Sequence, residues 1–403
     1  MRLDAKAWRK RRGVRRILDA LDADRGMTRY VGGAVRDELL GLPVNDVDFA
    51  TRLRPEQVIE KLEAAQIKAV PTGIEHGTVT AVADGHPAEV TTLRADVSTD
   101  GRRATVAFTD DWMADASRRD FTINALYADP VDGEVHDYFG GIDDLMARRV
   151  RFIGDPLTRI AEDHLRILRF FRFHARFGLG EPDTEALEAC TRRANDLMAL
   201  SRERIADELL KLLALPEPVK TVALMVERGI LRPVLPEIVD ADRLDALVAA
   251  ERSAGLPPDP LRRLAALLPQ HPETAEKVAA RLKLSNKARK RIASAADRDL
   301  SLNPQALAYW IGGEGARDRL LLADRPQEAA ALASWQPPRL PISGGALIKC
   351  GVPQGPQVAR TLQQIERSWV AAGFPQGDVF QQIVKDATGA AGRSEQAPAQ
   401  PKP

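Results

Sequence analysis

Cysteine is nearly absent: Cys190 and Cys350 are the only two in 403 residues. Two cysteines build neither a disulfide framework nor a zinc cluster, and such scarcity fits a reducing, cytoplasmic setting. No apolar run approaches the roughly 20 residues of a membrane-spanning helix, so no membrane partner is expected. Neither sign of charge dominates, with 58 Lys and Arg against 57 Asp and Glu. That balance excludes a global field as the means of holding a polyanion and leaves local patches. Of the 58 cations, 45 are arginine, a bias that suits bidentate phosphate recognition and that codon composition explains equally well. The Arg-rich start (Arg9-Lys10-Arg11-Arg12, then Arg15-Arg16) lacks a long apolar stretch and a small-residue cleavage site. A secretory signal is not expected there, and Asp4, Asp19, Asp22 and Asp24 argue against an acid-poor transit peptide.

What is present changes character along the chain. Up to about residue 150, short Val- and Thr-rich runs alternate with polar residues and read as strands: Thr28–Val31, Val47–Thr51, Gly77–Val82, Ala88–Leu93 and Val135–Tyr138. Pro55–Ala65 reads as a helix with proline at its first position. Residues 94–112 are polar, carry no periodicity, and are expected to form a long loop. From about residue 156, apolar positions recur at helical spacing, as in Ile160, Leu165, Leu168 and Phe171. Residues 388–403 are small, polar and proline-containing, and predict a disordered tail. An α/β head followed by an all-helical body is the expected plan.

One segment carries the clearest chemistry. Tyr30-Val31-Gly32-Gly33-Ala34-Val35-Arg36 places a Gly-Gly between a strand and a helix. Glycines there let backbone N–H groups approach a phosphate, the helix N-terminus favours an anion, and Arg36 is placed to reach back to it. Asp46-Val47-Asp48 follows. In a strand, residues i and i+2 share a face, so the two carboxylates converge while Val47 and Phe49 face the core. Paired hard-oxygen ligands beside a triphosphate are what magnesium-assisted nucleotidyl transfer needs. Taken singly, an Asp-x-Asp is usually a solvated turn and a Gly-Gly a loop; their combination is much rarer. The segment is neither the dinucleotide fingerprint G-x-G-x-x-G nor a P-loop. Further on, Asp163, Arg166, Arg169 and Arg172 are spaced by three, which predicts one stripe on a helix. Asp163 and Arg166 are then neighbours that pair and present acceptors beside donors to a base edge; Arg169 and Arg172 suit triphosphate oxygens. The bland alternative is a salt-bridged solvent face. His136-Asp137 invites a metal-phosphohydrolase reading, which the other histidines (76, 86, 164, 174 and 271) do not support.

Val31-Gly32-Gly33…Asp46-Val47-Asp48-Phe49 resembles the signature of the DNA polymerase β nucleotidyltransferase superfamily. The fuller form, GGAVRDELLG…DVDFAT, resembles its class II branch, the CCA-adding tRNA nucleotidyltransferases and bacterial poly(A) polymerases. Arg118-Arg119-Asp120-Phe121-Thr122-Ile123-Asn124-Ala125 matches that branch's second motif, where spacing predicts a helix, and Glu162-Asp163-x-x-Arg166 matches its E-D-x-x-R motif. The resemblance covers about residues 28 to 240, and the tail loosely. It implies an α+β fold: a polymerase-β-like nucleotidyltransferase head with a small mixed sheet over 1–150, a helical neck and body over 151–240, and a helical tail over 241–387. It implies Mg²⁺ as cofactor, held by Asp46 and Asp48 with Glu89 as third carboxylate. It implies nucleotide binding by Gly32, Gly33, Arg36, Arg119, Asp163, Arg166, Arg169 and Arg172, with Asp120 and Asn124 in support. Asp163 and Arg166 are implicated there in protein-templated choice of CTP or ATP. The implied partners are the tRNA 3′ end, CTP and ATP, without a membrane or an obligate protein partner. The implied reaction is two-metal addition of C, C and A with release of pyrophosphate. A poly(A) polymerase, a CC-only or A-only enzyme, and a catalytically dead RNA-binding scaffold are the alternatives. The basic stretch 282–294 and the segment from Pro341 to Pro356 are candidate RNA-backbone contacts, a solvated face being the commoner role for the first.

Overall fold

Alternating apolar residues build a seven-stranded mixed sheet near the start of the chain. The computed structural model describes residues 1–100, 103–297 and 299–393, and the chain divides into two units between Ile238 and Val239. Within the first unit the strands are β1 (Thr28–Val31), β2 (Phe49–Thr51), β3 (Lys68–Gly73), β4 (Thr78–Ala83), β5 (His86–Thr92), β6 (Arg94–Asp100), β7 (Arg103–Phe108), β8 (Leu126–Ala128) and β9 (Val135–Asp137). The sheet runs β3-β4-β5-β2-β1-β8-β9, and only β2 and β5 pair in parallel. Strands β6 and β7 pair with each other as a separate antiparallel ribbon. Arg94–Asp100 and Arg103–Phe108 are therefore paired strands and not part of the long loop expected from their polarity.

Two short helices, α1 (Ala5–Arg9) and α2 (Arg12–Ala20), precede β1. Helix α3 (Gly33–Leu39) follows β1, and α4 (Pro55–Ala64) starts at its proline as expected. Helix α5 (Trp112–Ser117) leads into the Arg118–Ala125 motif. That motif is not a helix. Phe121 is extended (φ −122°, ψ 148°) and bridges to Phe152, and only Thr122–Asn124 form a single 3-10 turn. Long-range pairing of the chain wins here over local helical spacing.

Helix α6 (Gly141–Met146) closes the sheet region. Five more helices complete the first unit: α7 (Pro156–Glu162), α8 (Arg166–Phe177), α9 (Thr184–Arg192), α10 (Arg202–Leu213) and α11 (Val219–Glu227). Phe121 packs against Phe170 and Phe173 of α8, with ring centroids 6.3 and 5.3 Å apart, and against Phe152 at 4.9 Å. This buried aromatic cluster fixes α8 over the Arg118–Ala125 motif.

The second unit is helical among its described residues, from Asp242–Ser253 to Gly377–Arg393. The last helix continues to Arg393, five residues past the expected onset of disorder at 388; residues 394–403 of that expectation lie outside the described residues. Two buried carboxylates organise the centre of this unit. Glu251 accepts from Arg262 Nη1 at 2.7 Å and from Arg263 Nε at 2.8 Å. Asp318, wholly buried, accepts from Arg262 Nε at 2.8 Å and Arg291 Nε at 2.6 Å. Removing one member of such a set strands charge in the interior and costs about 3–5 kcal/mol. Urea melts are expected to show a loss of that size for Asp318→Ala. Arg289→Ala breaks the surface Arg289–Glu276 pair (2.9 Å) and a long bond to Asn286 (3.3 Å), and is expected to cost about 1 kcal/mol or less.

Candidate active site

Gly32 links β1 to α3 with φ +68° and ψ −124°, a left-handed backbone that favours glycine. A Cβ built there would lie 3.5 Å from Arg119 Nη1, which places the glycine turn directly against that guanidinium. The Gly32 N–H is already spent on Leu126 O (3.0 Å), so the amides left for an anion begin at Gly33. Arg36 lies one turn along and is buried, its ring neighbour Phe177 4.1 Å from the guanidinium carbon. It donates to Asn124 Oδ1 at 2.5 Å and to Asp37 Oδ1 at 2.8 Å.

Asp46 and Asp48 precede β2, where Val47 and Phe49 are buried. The alternation is the expected one, although the two aspartates lie just outside the strand. Val31 N donates to Asp48 O at 3.1 Å, and the β2–β5 register pairs Phe49 with Val90. Asp48 therefore stands beside Glu89. The Asp48 carboxyl is shifted above its ordinary value, first by burial and then by the Glu89 and Asp46 charges; the Glu89 N–H bond and Arg119 oppose the shift. A carboxylate crowded in this way is relieved by a cation. Among the described residues no three His, Cys, Asp or Glu side chains already stand in metal-binding geometry. Hard oxygens and mutual repulsion fit a divalent metal, and the sheet supplies their neighbourhood.

Two adjoining cavities share Gly32, Gly33 and Arg119. The smaller, about 230 Å³, adds Asp48, Glu89, Arg94, Asp115 and Arg118. The larger, about 480 Å³, adds Arg36, Asp120, Asn124, Asp163, Arg166, Arg169 and Phe173. Asp46 faces a third cavity of about 640 Å³, on the side of Arg11 and Arg12. Four arginines against two aspartates make the larger cavity a place for a polyanion.

Each cation in it is tethered. Arg119 donates Nε to the Tyr127 hydroxyl at 3.1 Å and Nη2 to Asp115 Oδ2 at 3.1 Å, and Tyr127 donates to the same Oδ2 at 2.6 Å. Burial alone would lower the Arg119 pKa, but Tyr127 and Asp115 hold it above its ordinary value. Asp120 accepts from Phe121 N (2.9 Å), Asn124 Nδ2 (2.9 Å), and Arg169 through Nε (2.7 Å) and Nη2 (2.5 Å). Burial would raise the Asp120 pKa; the Arg169 charge and these donors outweigh it and hold the carboxyl below its ordinary value.

Three expectations about the helical stripe are corrected. Asp163 does not share a helix with Arg166: it ends α7 in an extended conformation (φ −150°, ψ 106°), and α8 begins at Arg166. Nor do the two pair. Asp163 accepts from Arg204 Nη2 at 2.7 Å, while Arg166 is held by Glu162 and by the carbonyls of Arg159 (2.8 Å) and Arg118 (3.2 Å). Both still line the larger cavity. Arg172 does not: it bonds buried Glu208 of α10, Nε to Oε2 at 2.5 Å, and so braces α8 instead of facing a triphosphate. Asp115, Tyr127, Glu162 as the holder of Arg166, and Glu208 were not found from the sequence as site-shaping residues. Glu162, four residues before Arg166, and Asp115, four before Arg119, carried a local signal in their spacing; Tyr127 and Glu208 did not.

Two family models match the chain: "Poly A polymerase head domain" over residues 28–151 and "Probable RNA and SrmB-binding site of polymerase A" over 181–242. The chain is 35% identical to mouse mitochondrial CCA tRNA nucleotidyltransferase 1 over 381 residues, covering 90% of this chain and 87% of that one. It is 33% identical over 387 residues to the CCA-adding enzyme of Latilactobacillus sakei, covering 89% and 94%. Its fold is similar to the Bacillus stearothermophilus CCA-adding enzyme solved in complex with CTP, with a TM-score of 0.73, 27% identity, and 94% and 98% of the two chains covered.

Asp120 yields a pH-dependent prediction. Its lowered folded pKa means that its stabilisation is full above the unfolded value of about 3.9 and is lost as the pH falls through the folded value. Asp120→Asn is expected to cost about 3–5 kcal/mol at pH 7, because Arg169 loses its buried counter-charge. The gap between variant and wild type in urea melts is expected to narrow below about pH 4.

Proposed function

As this chain belongs to the CCA-adding tRNA nucleotidyltransferases, we propose that it adds C, C and A to the 3′ end of tRNA from CTP and ATP, in the cytoplasm, with Mg²⁺ as its metal. The family is metal-dependent. The carrying observation is the junction of an arginine-lined cavity with a carboxylate-lined one across Gly32, Gly33 and Arg119. A nucleoside triphosphate laid along that junction points its base toward Asp163 and Arg166. Its triphosphate meets Arg119, Arg169 and the amides from Gly33 onward. Its α-phosphate then lies toward Asp48 and Glu89. We assign the head to residues 1–150, the neck and body to 151–240, and the tail to 241–387.

Asp46, Asp48 and Glu89 would hold the metal, which when bound activates the attacking 3′-hydroxyl and offsets charge on the departing pyrophosphate. The chain's residues do the remaining work. Asp48 or Asp46 accepts the proton of the 3′-hydroxyl. That oxygen attacks the α-phosphorus, the bond to the bridging oxygen breaks, and pyrophosphate leaves between Arg119 and Arg169. Asp163 offers acceptors and Arg166 donors to the Watson–Crick edge of the incoming base, so selection needs no nucleic-acid template. Tethering through Glu162 and Arg204 limits which edge fits at a time. Folded RNA would be recognised by shape and backbone contacts.

Incorporation of labelled CTP and ATP, separately and together with Mg²⁺, is to be measured on three RNAs: tRNA lacking CCA, tRNA ending in CC, and an unstructured oligomer. Two C additions followed by one A, on tRNA alone, are expected. A long A tract on any RNA would overturn the reading in favour of poly(A) synthesis. Asp48→Ala is expected to abolish incorporation by a factor of at least about 10³, as loss of a group acting in the transition state does, with CTP binding retained.

A further inference from the structure

The two aspartates of the Asp46-Val47-Asp48 segment are held by different means. Asp48 belongs to the sheet: its carbonyl accepts from Val31 N at 3.1 Å, and its carboxylate accepts from the Glu89 N–H. Asp46 lies farther back, on the irregular stretch between Gly41 and β2. Leu42 N bonds Asp37 O at 2.9 Å, and the buried Val47 side chain reaches the core. Among the described residues, the hydrogen bonds tying 43–47 to another element come from one side chain. Arg11 donates Nη1 to Asn45 O at 3.0 Å and Nη2 to Val44 O at 2.8 Å. The guanidinium fork thus grips the two carbonyls immediately before Asp46.

The base of that fork is itself fixed. Arg11 is the extended residue between α1 and α2 (φ −66°, ψ 114°), and its N–H bonds Trp8 O at 3.0 Å. Trp8 is buried edge-on against Tyr30 of β1, with centroids 4.9 Å apart. On the other side α2 packs tightly on the end of β4: a Cβ on Gly13 would come within 2.8 Å of Ala83 O. The arm is therefore clamped at both ends, and Arg11 carries that rigidity to a loop that has little of its own. A bidentate donor spans two successive carbonyls in a way a lysine ammonium does not.

We infer that Arg11 is a positioning residue for catalysis, holding Asp46 at its working distance from Asp48; this rests on the reading of Asp46 as a catalytic carboxylate. Within the Arg-rich start of the chain, Arg9 and Arg12 meet Asp19, Asp24 and Asp84, and Arg16 meets Asp84 and the carbonyls of Ala65 and Gln66; Arg11 is the one whose fork lies against the Asp46 segment. A displacement near 1 Å at a reacting group lowers turnover by as much as about 100-fold.

The experiment measures kcat and KM for CTP and tRNA, melting temperature, and amide exchange over residues 42–48. It compares the full-length wild type with Arg11→Ala, Arg11→Lys, Arg15→Ala and Asp46→Ala. Arg11→Ala is expected to lower kcat about 10- to 100-fold with both KM values within about twofold, and to speed exchange in 42–48 alone. Arg11→Lys is expected to fall between, and Arg15→Ala, which removes an exposed cation from the same arm, to match wild type. Unchanged kcat in Arg11→Ala overturns the inference. So does a raised KM for tRNA at unchanged kcat, which would make Arg11 an RNA contact. If Arg11→Ala melts early, Arg11→Lys decides at native melting temperature: intermediate kcat supports the inference, and wild-type kcat overturns it. Activity surviving in Asp46→Ala would instead overturn the catalytic reading on which the inference stands.

Discussion

A single buried carboxylate, Asp120, joins the parts that must act together. It takes the Phe121 amide on one oxygen and Arg169 of α8 on the other, and through Asn124 it extends to Arg36 of α3. The chain Arg169–Asp120–Asn124–Arg36 crosses the floor of the larger cavity and links the glycine turn, the Arg118–Ala125 motif and the helix of the E-D-x-x-R motif. Without Asp120 the hydrogen-bonded link between Arg36 and Arg169 is broken, and each keeps only its separate partners such as Asp37 and Glu208. Each hydrogen bond to a charged group adds about 1.5–3 kcal/mol, which is enough to hold rotamers of long side chains before any anion arrives.

Electrostatics differ between the two cavities for the same physical reason. In the larger, Asp120 has Arg169 beside it, so burial is outweighed and the carboxyl stays ionised, and Asp163 has Arg204. In the smaller, burial of Asp48 acts first and the charges of Glu89 beside it and of Asp46 on the third cavity add to it, while the Glu89 N–H and Arg119 oppose. The larger cavity thus favours negative charge, and the Asp48–Glu89 end of its neighbour favours positive charge. A metal-bound triphosphate has that polarity. Under the proposed function, the reaction's geometry follows from the boundary between them at Gly32 and Gly33.

Much of this was legible in the sequence, for identifiable reasons. Strands β1, β4 and β5 bury one face and so alternate, and Pro55 announced the start of α4. Val47 and Phe49 facing inward put Asp46 and Asp48 outward, as period two requires. The pairing of β6 and β7 was not legible, because their sequence is polar and carries no periodicity. The break at Asp163 was hidden because spacing by three fits an uninterrupted helix, whereas the real constraint is long-range: Arg166 reaches the Arg118 carbonyl, and Asp163 reaches Arg204. Arg172 was misplaced for the same reason, since its partner Glu208 lies on another helix. Arg11 looked like one more cation in a basic run, and only the fold brings it to Val44 and Asn45.

The central claim is that Arg36 and Arg169 act on a nucleotide as one unit through Asp120 and Asn124. A double-mutant cycle on CTP binding tests it most directly, using Arg36→Lys, Arg169→Lys and the double variant. Residues in one hydrogen-bonded network couple by about 0.5–3 kcal/mol. The account predicts that the double variant weakens CTP binding by less than the sum of the singles, by an amount in that range. Strict additivity would contradict it, leaving two independent arginines that happen to share a cavity.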